Sequence, residues 1–104
     1  MTPNKFVENI KSEIDFIVKQ YSKGTQGQTE LGTRLDSLEL NNDQRQEVLA
    51  LLKLAAQESV YTVICGLDGG ASLGEDQETF QIYDESENNI SGELGVLFYE
   101  KVML

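Results

Sequence analysis

Residues 48–65 read VLALLKLAAQESVYTVIC, and they decide the class of fold because their second half fits two structures. Residues 48–56 are broadly apolar, as expected for a central helix rather than a surface one. Residues 59–65 either continue this helix to Gly66 or form a buried strand, since they are rich in β-branched side chains. The continued helix is favoured because no turn signal lies between residues 57 and 61.

The N-terminal half predicts further helical structure. We expect an amphipathic helix over residues 3–22, with Thr2 as its cap. Its apolar stripe has helical spacing and consists of Phe6, Ile10, Ile14, Ile17, Val18 and Tyr21. A short irregular or single-turn segment is expected over residues 31–38, because Gly32 interrupts three leucines at helical spacing. The central helix should begin at about Asp43.

The C-terminal third predicts a small antiparallel sheet. Residues 66–76 read as a glycine-rich loop, and residues 79–84 alternate as a half-buried strand does. Residues 94–102 are the expected returning strand, with a short helix as the alternative. The predicted fold class is therefore α+β, with two N-terminal helices packed on a small C-terminal antiparallel β-sheet or hairpin in a single domain of residues 1–104. One core should contain Phe6, Ile10, Ile14, Leu51, Leu52, Ala55, Phe80, Ile82 and Phe98.

The composition excludes several chemistries. The 104-residue chain has no histidine and one cysteine, which rules out histidine catalysis, histidine metal sites, thiolate zinc clusters and intramolecular disulfides. Residues 70–74 fit the G-x-S-x-G pattern, but that nucleophile needs a histidine, a preceding strand and a following helix. We therefore expect no enzyme, no cofactor and no metal site.

Two features predict a cytoplasmic location. Cys65 lies in an apolar run, so we expect a buried, inert and reduced thiol. The N-terminal residues turn acidic at Glu8 and contain no signal-peptide core. No uninterrupted apolar run reaches the roughly 18–20 residues of a membrane span, so we expect no membrane segment.

Charge is distributed unevenly along the chain. The net charge is −10, and residues 54–100 hold ten acids and no base, whereas residues 1–53 are nearly balanced. Such a field repels phosphate backbones and anionic lipid and attracts a basic protein surface or a cation. Exposed tyrosine among acids is common in protein-binding patches, because its ring adds contact area at low entropy cost. The partner-binding residues we predict are Asp68, Glu75, Asp76, Glu78, Tyr83, Asp84, Glu85 and Glu87.

These observations predict a small acidic, non-enzymatic protein-binding module of the inhibitor, immunity or antitoxin type. Its partner would be a basic protein, such as a nuclease or another nucleic-acid enzyme, with no direct contact to nucleic acid or membrane. The edges of a two-stranded sheet need completion by a partner strand or by a second copy in a homodimer.

Three alternatives stay open at this point. The first is a structural or scaffold subunit of a homo-oligomer, whose sign would be a large apolar patch. The second is a cation or small-ligand sensor that uses the glycine-rich acidic loop 66–78, with oxygens from Asp68, Ser72, Glu75 and Asp76. The third is that the acids serve only solubility.

Overall fold

The protein is 65% helical and contains no β-strand. The structure is a computed structural model that describes all 104 residues. Four α-helices follow one another: α1 (Pro3–Ser22), α2 (Glu30–Ser37), α3 (Asn42–Leu67) and α4 (Leu94–Phe98). A 3₁₀ turn, Gly24–Gly27, connects α1 to α2, and a π-helical turn, Tyr99–Met103, continues α4.

The chain forms two compact units. The first unit consists of Met1–Lys11 and Gln57–Leu104, and the second of Ser12–Ala56. Buried apolar side chains of the first unit are Val7, Ile64, Ile90, Leu94 and Phe98. Those of the second unit are Ile14, Leu35 and Leu49.

The two long helices agree with the sequence prediction. The bounds predicted for α1 are confirmed, and the Thr2 hydroxyl accepts a hydrogen bond from the Lys5 amide at 3.1 Å, as a cap does. Asn41 and Gln44 cap α3 reciprocally: each side-chain oxygen accepts from the other residue's amide, at 2.8 and 3.2 Å. The helix then passes through residues 59–65, so the preference for a continued helix is confirmed.

The segment expected to be irregular around Gly32 is instead the eight-residue helix α2. Thr29 caps it, because its hydroxyl accepts from the Gly32 amide at 2.9 Å. Gly32 is buried, and a Cβ placed there would lie 2.5 Å from the carbonyl oxygen of Gly24. Glycine is therefore required for the close approach of two backbone segments, and the helix tolerates its low propensity.

The predicted C-terminal sheet, and with it the α+β class, is wrong. Residues 79–84 make only an isolated bridge between Tyr83 and Asn89. Two backbone hydrogen bonds flank it: the Ile90 amide donates to the Ile82 carbonyl at 2.8 Å, and the Asp84 amide donates to the Asn88 carbonyl at 3.0 Å. The expected returning strand is α4 and its π-helical continuation. A strand would bury Val96 on the same face as Leu94 and Phe98. Val96 is 62% exposed while the other two are fully buried, which only a helical turn allows.

The predicted single core is correct for only part of its members. Ile14 and Phe98 are buried, whereas Phe6, Ile10, Leu52 and Ile82 are half-buried. Leu51, Ala55 and Phe80 are exposed. The members also divide between the two units, so they do not form the one core that was expected.

Helix α3 is long and apolar enough to cross a membrane, judged by length and composition alone. Its most apolar 18-residue window has a mean hydropathy of 1.5, although charged residues interrupt it. The expectation of no membrane segment rested on uninterrupted apolar runs alone, and charged residues interrupt the run in α3. Only 11% of the window is buried, so much of the apolar surface of α3 is not covered by this chain.

Candidate protein-binding surface

The eight predicted binding residues all lie in the first unit, after the end of α3. Asp68 comes directly after the helix, and its amide donates to the Ile64 carbonyl at 2.9 Å. Its carboxylate accepts hydrogen bonds from the amides of Gly92 and Gly95, the latter at 3.2 Å. Asp68 therefore joins the end of α3 to the start of α4, and its carboxylate is occupied by hydrogen bonds within the protein.

Residues 69–81, here called the acidic arm, are exposed throughout and form neither helix nor strand. The arm carries Glu75, Asp76 and Glu78 and no base, and none of these three carboxylates takes part in a salt bridge. A tight turn brings Leu73 and Asp76 together, with Gly74 at φ +72° in the position where such turns require glycine. The arm thus presents three free negative charges to solvent.

Residues 83–89, here called the acidic turn, form a second exposed loop. The amide of Asp84 donates to the Asn88 carbonyl at 3.0 Å, and the amide of Glu87 donates to the Asp84 carbonyl at 3.0 Å. These bonds close the loop and leave the side chains of Glu85 and Glu87 in solvent. Tyr83 is 55% exposed at the base of the turn.

Asp84 holds the acidic turn together from inside. Its side chain is only 9% exposed, and its carboxylate accepts a hydrogen bond from the N-terminal ammonium of Met1 at 2.6 Å. It also accepts hydrogen bonds from the backbone amides of Ser86 and Asn88, each at 2.9 Å, and from the side-chain amide of Asn88 at 3.2 Å. The ammonium and then the Asn88 hydrogen bonds lower the pKa of Asp84 far below its ordinary value. Asp84 is a structural residue and leaves little of its charge for a partner.

The carboxyl pKa of Asp84 predicts a stability that depends on pH. Because that pKa is lowered on folding, its contribution is present above the unfolded value of about 3.9 and is lost as the pH falls below it. Asp84→Asn should therefore lower the melting temperature at pH 7, and the gap to the parent chain should be smaller at pH 3 than at pH 5 and 7, because the loss begins just below the unfolded pKa. Thermal unfolding of both chains at pH 3, 5 and 7 checks this. A gap that stays constant with pH would show that the Asp84 charge contributes nothing.

The structure therefore divides the predicted residues into two groups. Those with exposed side chains outside any salt bridge are Glu75, Asp76, Glu78, Tyr83, Glu85 and Glu87. The carboxylates of Asp68 and Asp84 instead accept hydrogen bonds that hold neighbouring segments of the chain in place. A local signal existed for Asp84, since Asp followed by polar turn residues commonly accepts from amides further along the chain. None existed for Asp68, because its partners lie 24 and 27 residues away.

Other candidate chemistries lack the geometry that they need. Ser72 lies on the exposed arm, with the end of a helix before it and a turn after it, so the strand–turn–helix context of a nucleophile elbow is missing. No three acidic or cysteine side chains come together closely enough to hold a metal ion. The cation-sensor alternative gains no support from this arrangement.

A cavity of about 470 Å³ lies beside α4 and includes Tyr61, Cys65, Asp68, Tyr99 and Glu100 in its lining. The expectation of a buried Cys65 is only partly met, because this residue is half-buried. A hydrogen bond with the Cys65 thiol is the main cause that raises the pKa of Tyr61. The cavity therefore offers a protonated phenol at neutral pH and the carboxylate of Asp68, each oxygen of which already accepts one backbone amide hydrogen bond.

No protein-family model, curated protein or solved structure matches this chain. Its function is therefore inferred from its own residues and their geometry.

Proposed function

We propose that the protein is a small acidic protein-binding module of the inhibitor, immunity or antitoxin type. The observation that carries the proposal is the set of five exposed carboxylates outside any salt bridge, placed on the acidic arm and the acidic turn. These residues are Glu75, Asp76, Glu78, Glu85 and Glu87. No base lies between residues 54 and 100 to neutralise them.

Physical reasoning supports a basic protein as the partner. Carboxylates on exposed loops are attracted to a cationic surface, and their summed electric field steers the approach of a basic partner. A basic surface that normally holds nucleic-acid phosphates has the complementary charge, so the acidic loops would compete with nucleic acid for it. A nuclease or another nucleic-acid enzyme is a partner of this kind. Strand addition to a sheet edge plays no part in this proposal, since the chain has no sheet.

The test compares two charge-reversal variants with the same net charge. In the first, Glu75, Asp76 and Glu78 on the acidic arm become lysine. In the second, three exposed acids of the second unit outside any salt bridge become lysine: Glu13, Glu39 and Glu47. Each reversal changes the charge by two units, so both variants carry −4 instead of −10.

We expect the immobilised parent chain and the second-unit variant to capture the same basic protein from native extract at low salt. The acidic-arm variant should capture at least tenfold less, because it lacks the charges that face the partner. Circular dichroism should show that both variants stay folded, since exposed charges contribute little to stability. Equal capture by the two variants would show that the acids serve solubility alone.

A homo-oligomeric scaffold is the second candidate, and exposed apolar side chains of the second unit favour it. Phe16, Leu38, Leu51 and Leu54 are 57%, 62%, 56% and 45% exposed. Charge does not oppose self-association there, because residues 12–56 carry seven acids and five bases. Large apolar surface on a small soluble chain marks an interaction site.

Light scattering distinguishes this second candidate from the first. A homo-oligomer held by this surface should persist at high salt and dissociate when Leu51 and Leu54 are both replaced by glutamine. The acidic-arm variant should leave its mass unchanged. A parent chain that is monomeric at all concentrations tested would exclude the scaffold.

A further inference from the structure

An apolar groove of about 370 Å³ lies in the first unit, lined by α1, the last part of α3, Ile82 and Leu94. Phe6 and Ile10 of α1 form one part of its wall, and Ile82 and Leu94 form another. The remaining wall is the last part of α3, which contributes Ser59, Val60, Val63, Ile64 and Leu67. Val63 is 47% exposed, so the groove is open to solvent.

The chemistry of the wall favours apolar side chains as occupants. Ser59 is its only polar residue, and no charged side chain lines it. Sites for small metabolites combine apolar walls with a few placed polar groups that orient the ligand. This groove has almost none, whereas a helix of another protein needs only an apolar trough for its i, i+3, i+4 and i+7 side chains.

The charges around the groove indicate which charge the polar face of the bound helix should carry. Ile82 joins the groove to both acidic loops: Glu78 precedes it by four residues and Glu85 follows it by three. At 3.3–3.6 Å per residue, each of these acids has its Cα within about 14 Å of the Ile82 Cα. The first unit as a whole carries eleven acids and three bases. A second copy of this unit would bring acids against acids, which disfavours self-association at this groove.

The three basic residues of the first unit indicate how the bound helix is oriented in the groove. Lys101 forms a salt bridge with Glu8 at 3.5 Å. The other two, Lys5 and Lys11, belong to α1 and take part in no salt bridge. Cationic side chains of an occupant are therefore favoured towards Ile82 and the acidic loops and disfavoured towards α1.

We propose that this groove binds the apolar face of a basic amphipathic helix supplied by the partner, whose lysines and arginines lie towards the acidic arm and the acidic turn. The inference rests on the proposed function and adds to it the docking site and the chemistry of the partner segment. Apolar anchors provide the affinity at the groove, and the acidic loops select the charge of the helix and its direction.

The probe is a synthetic peptide with leucines at helical spacing, lysines elsewhere and one tryptophan on its apolar face. The chain itself has no tryptophan, so the fluorescence of the peptide reports its burial without background. A peptide of the same composition in scrambled order, and one with glutamates in place of lysines, serve as controls. The full-length chain is titrated into each peptide.

Two matched variants locate the site of binding. Val63→Gln makes the groove polar, and Val96→Gln makes the same change at an exposed position of α4 outside it. Neither side chain is buried, so both variants should unfold at close to the temperature of the parent chain. We expect Val63→Gln to weaken binding of the amphipathic peptide at least tenfold and Val96→Gln to leave it unchanged.

Several results would overturn the proposal. Equal binding of the scrambled or the acidic peptide would show that no basic amphipathic helix is recognised, and so would absence of binding by all three peptides. Equal effects of the two variants would place the site elsewhere. A dimer of the parent chain that Val63→Gln dissociates would make a second copy the occupant. If the acidic-arm variant loses the natural partner while Val63→Gln retains it, the groove is excluded and the proposed function is kept.

Discussion

Replacing Phe98 with alanine should destabilise the protein by about 3–5 kcal/mol, because the side chain is fully buried and leaves a cavity. Its ring stacks on that of Tyr61, with centroids 5.9 Å apart and planes 14° apart, and this contact is lost as well. A small domain has a total stability of about 5–15 kcal/mol, so the variant should be close to unfolding. Urea denaturation followed by circular dichroism measures the change.

Val96→Ala is the matched control for Phe98→Ala. It lies two residues earlier on α4 and is 62% exposed, so we expect a change within about 0.5 kcal/mol. If residues 94–102 formed a strand, Val96 and Phe98 would share a buried face, and both replacements would be costly. Similar losses at the two positions would therefore contradict the helix α4.

Gly32→Ala should destabilise the protein even though alanine is the better helix former. Helix propensity alone favours the alanine by up to about 1 kcal/mol. The new Cβ would, however, meet the backbone oxygen of Gly24 at 2.5 Å, a contact that the neighbouring segment must move to relieve. Overpacking of this kind costs about 1–3 kcal/mol of stability. Because the contact is with backbone, which moves less easily than a side chain, we expect a cost in the upper part of that range, which exceeds the gain from helix propensity.

The sign of the Gly32→Ala effect decides between these two contributions. Gly70→Ala is the control, since its Cβ would lie at an ordinary 3.7 Å from the nearest atom outside its chain neighbours and its φ is not positive. That replacement should be neutral or stabilise by up to about 1 kcal/mol through the unfolded chain. A stabilising effect at Gly32 would mean that α1 and α2 are not connected as the structure describes. Denaturant midpoints of the two variants measure both effects.

The helices could be predicted from the sequence where the spacing of apolar residues was strong. α1 was predicted with its observed bounds, because its stripe and its Thr2 cap are local signals. Helix α2 was missed because glycine lowers helix propensity, and the reason for Gly32 is a contact with Gly24 that no local pattern reveals.

The C-terminal sheet was predicted from β-branched and aromatic residues, and there tertiary packing outweighed propensity. Leu94 and Phe98 are four residues apart, a spacing that fits a helix as well as a strand, and burial of both on a helix leaves Val96 in solvent. Residues 79–84 alternate, but their partner segment beyond the acidic turn makes only a single bridge with them. Alternation without a second strand of similar length does not make a sheet.

The exposed acids of the candidate surface could be predicted because charge is read directly from the sequence. The internal role of Asp84 depends partly on the ammonium of Met1, 83 residues away, and that of Asp68 on the amides of Gly92 and Gly95 at the start of α4. The apolar groove was not foreseen either, because its walls come from α1, α3 and the segment around Ile82. Contacts between residues so distant in the chain have no signature in local spacing.

The central claim is that the acidic arm meets a basic protein, and the association rate constant tests it most directly. Surface plasmon resonance with the captured partner would compare the parent chain, the acidic-arm variant and the second-unit variant at two salt concentrations. Charges at the edge of an interface act over about 8 Å at physiological salt and govern association more than dissociation. We expect salt to slow association of the parent and second-unit chains strongly, and the acidic-arm variant to associate slowly with little dependence on salt. Equal salt dependence of the two variants, which carry the same net charge, would contradict the claim.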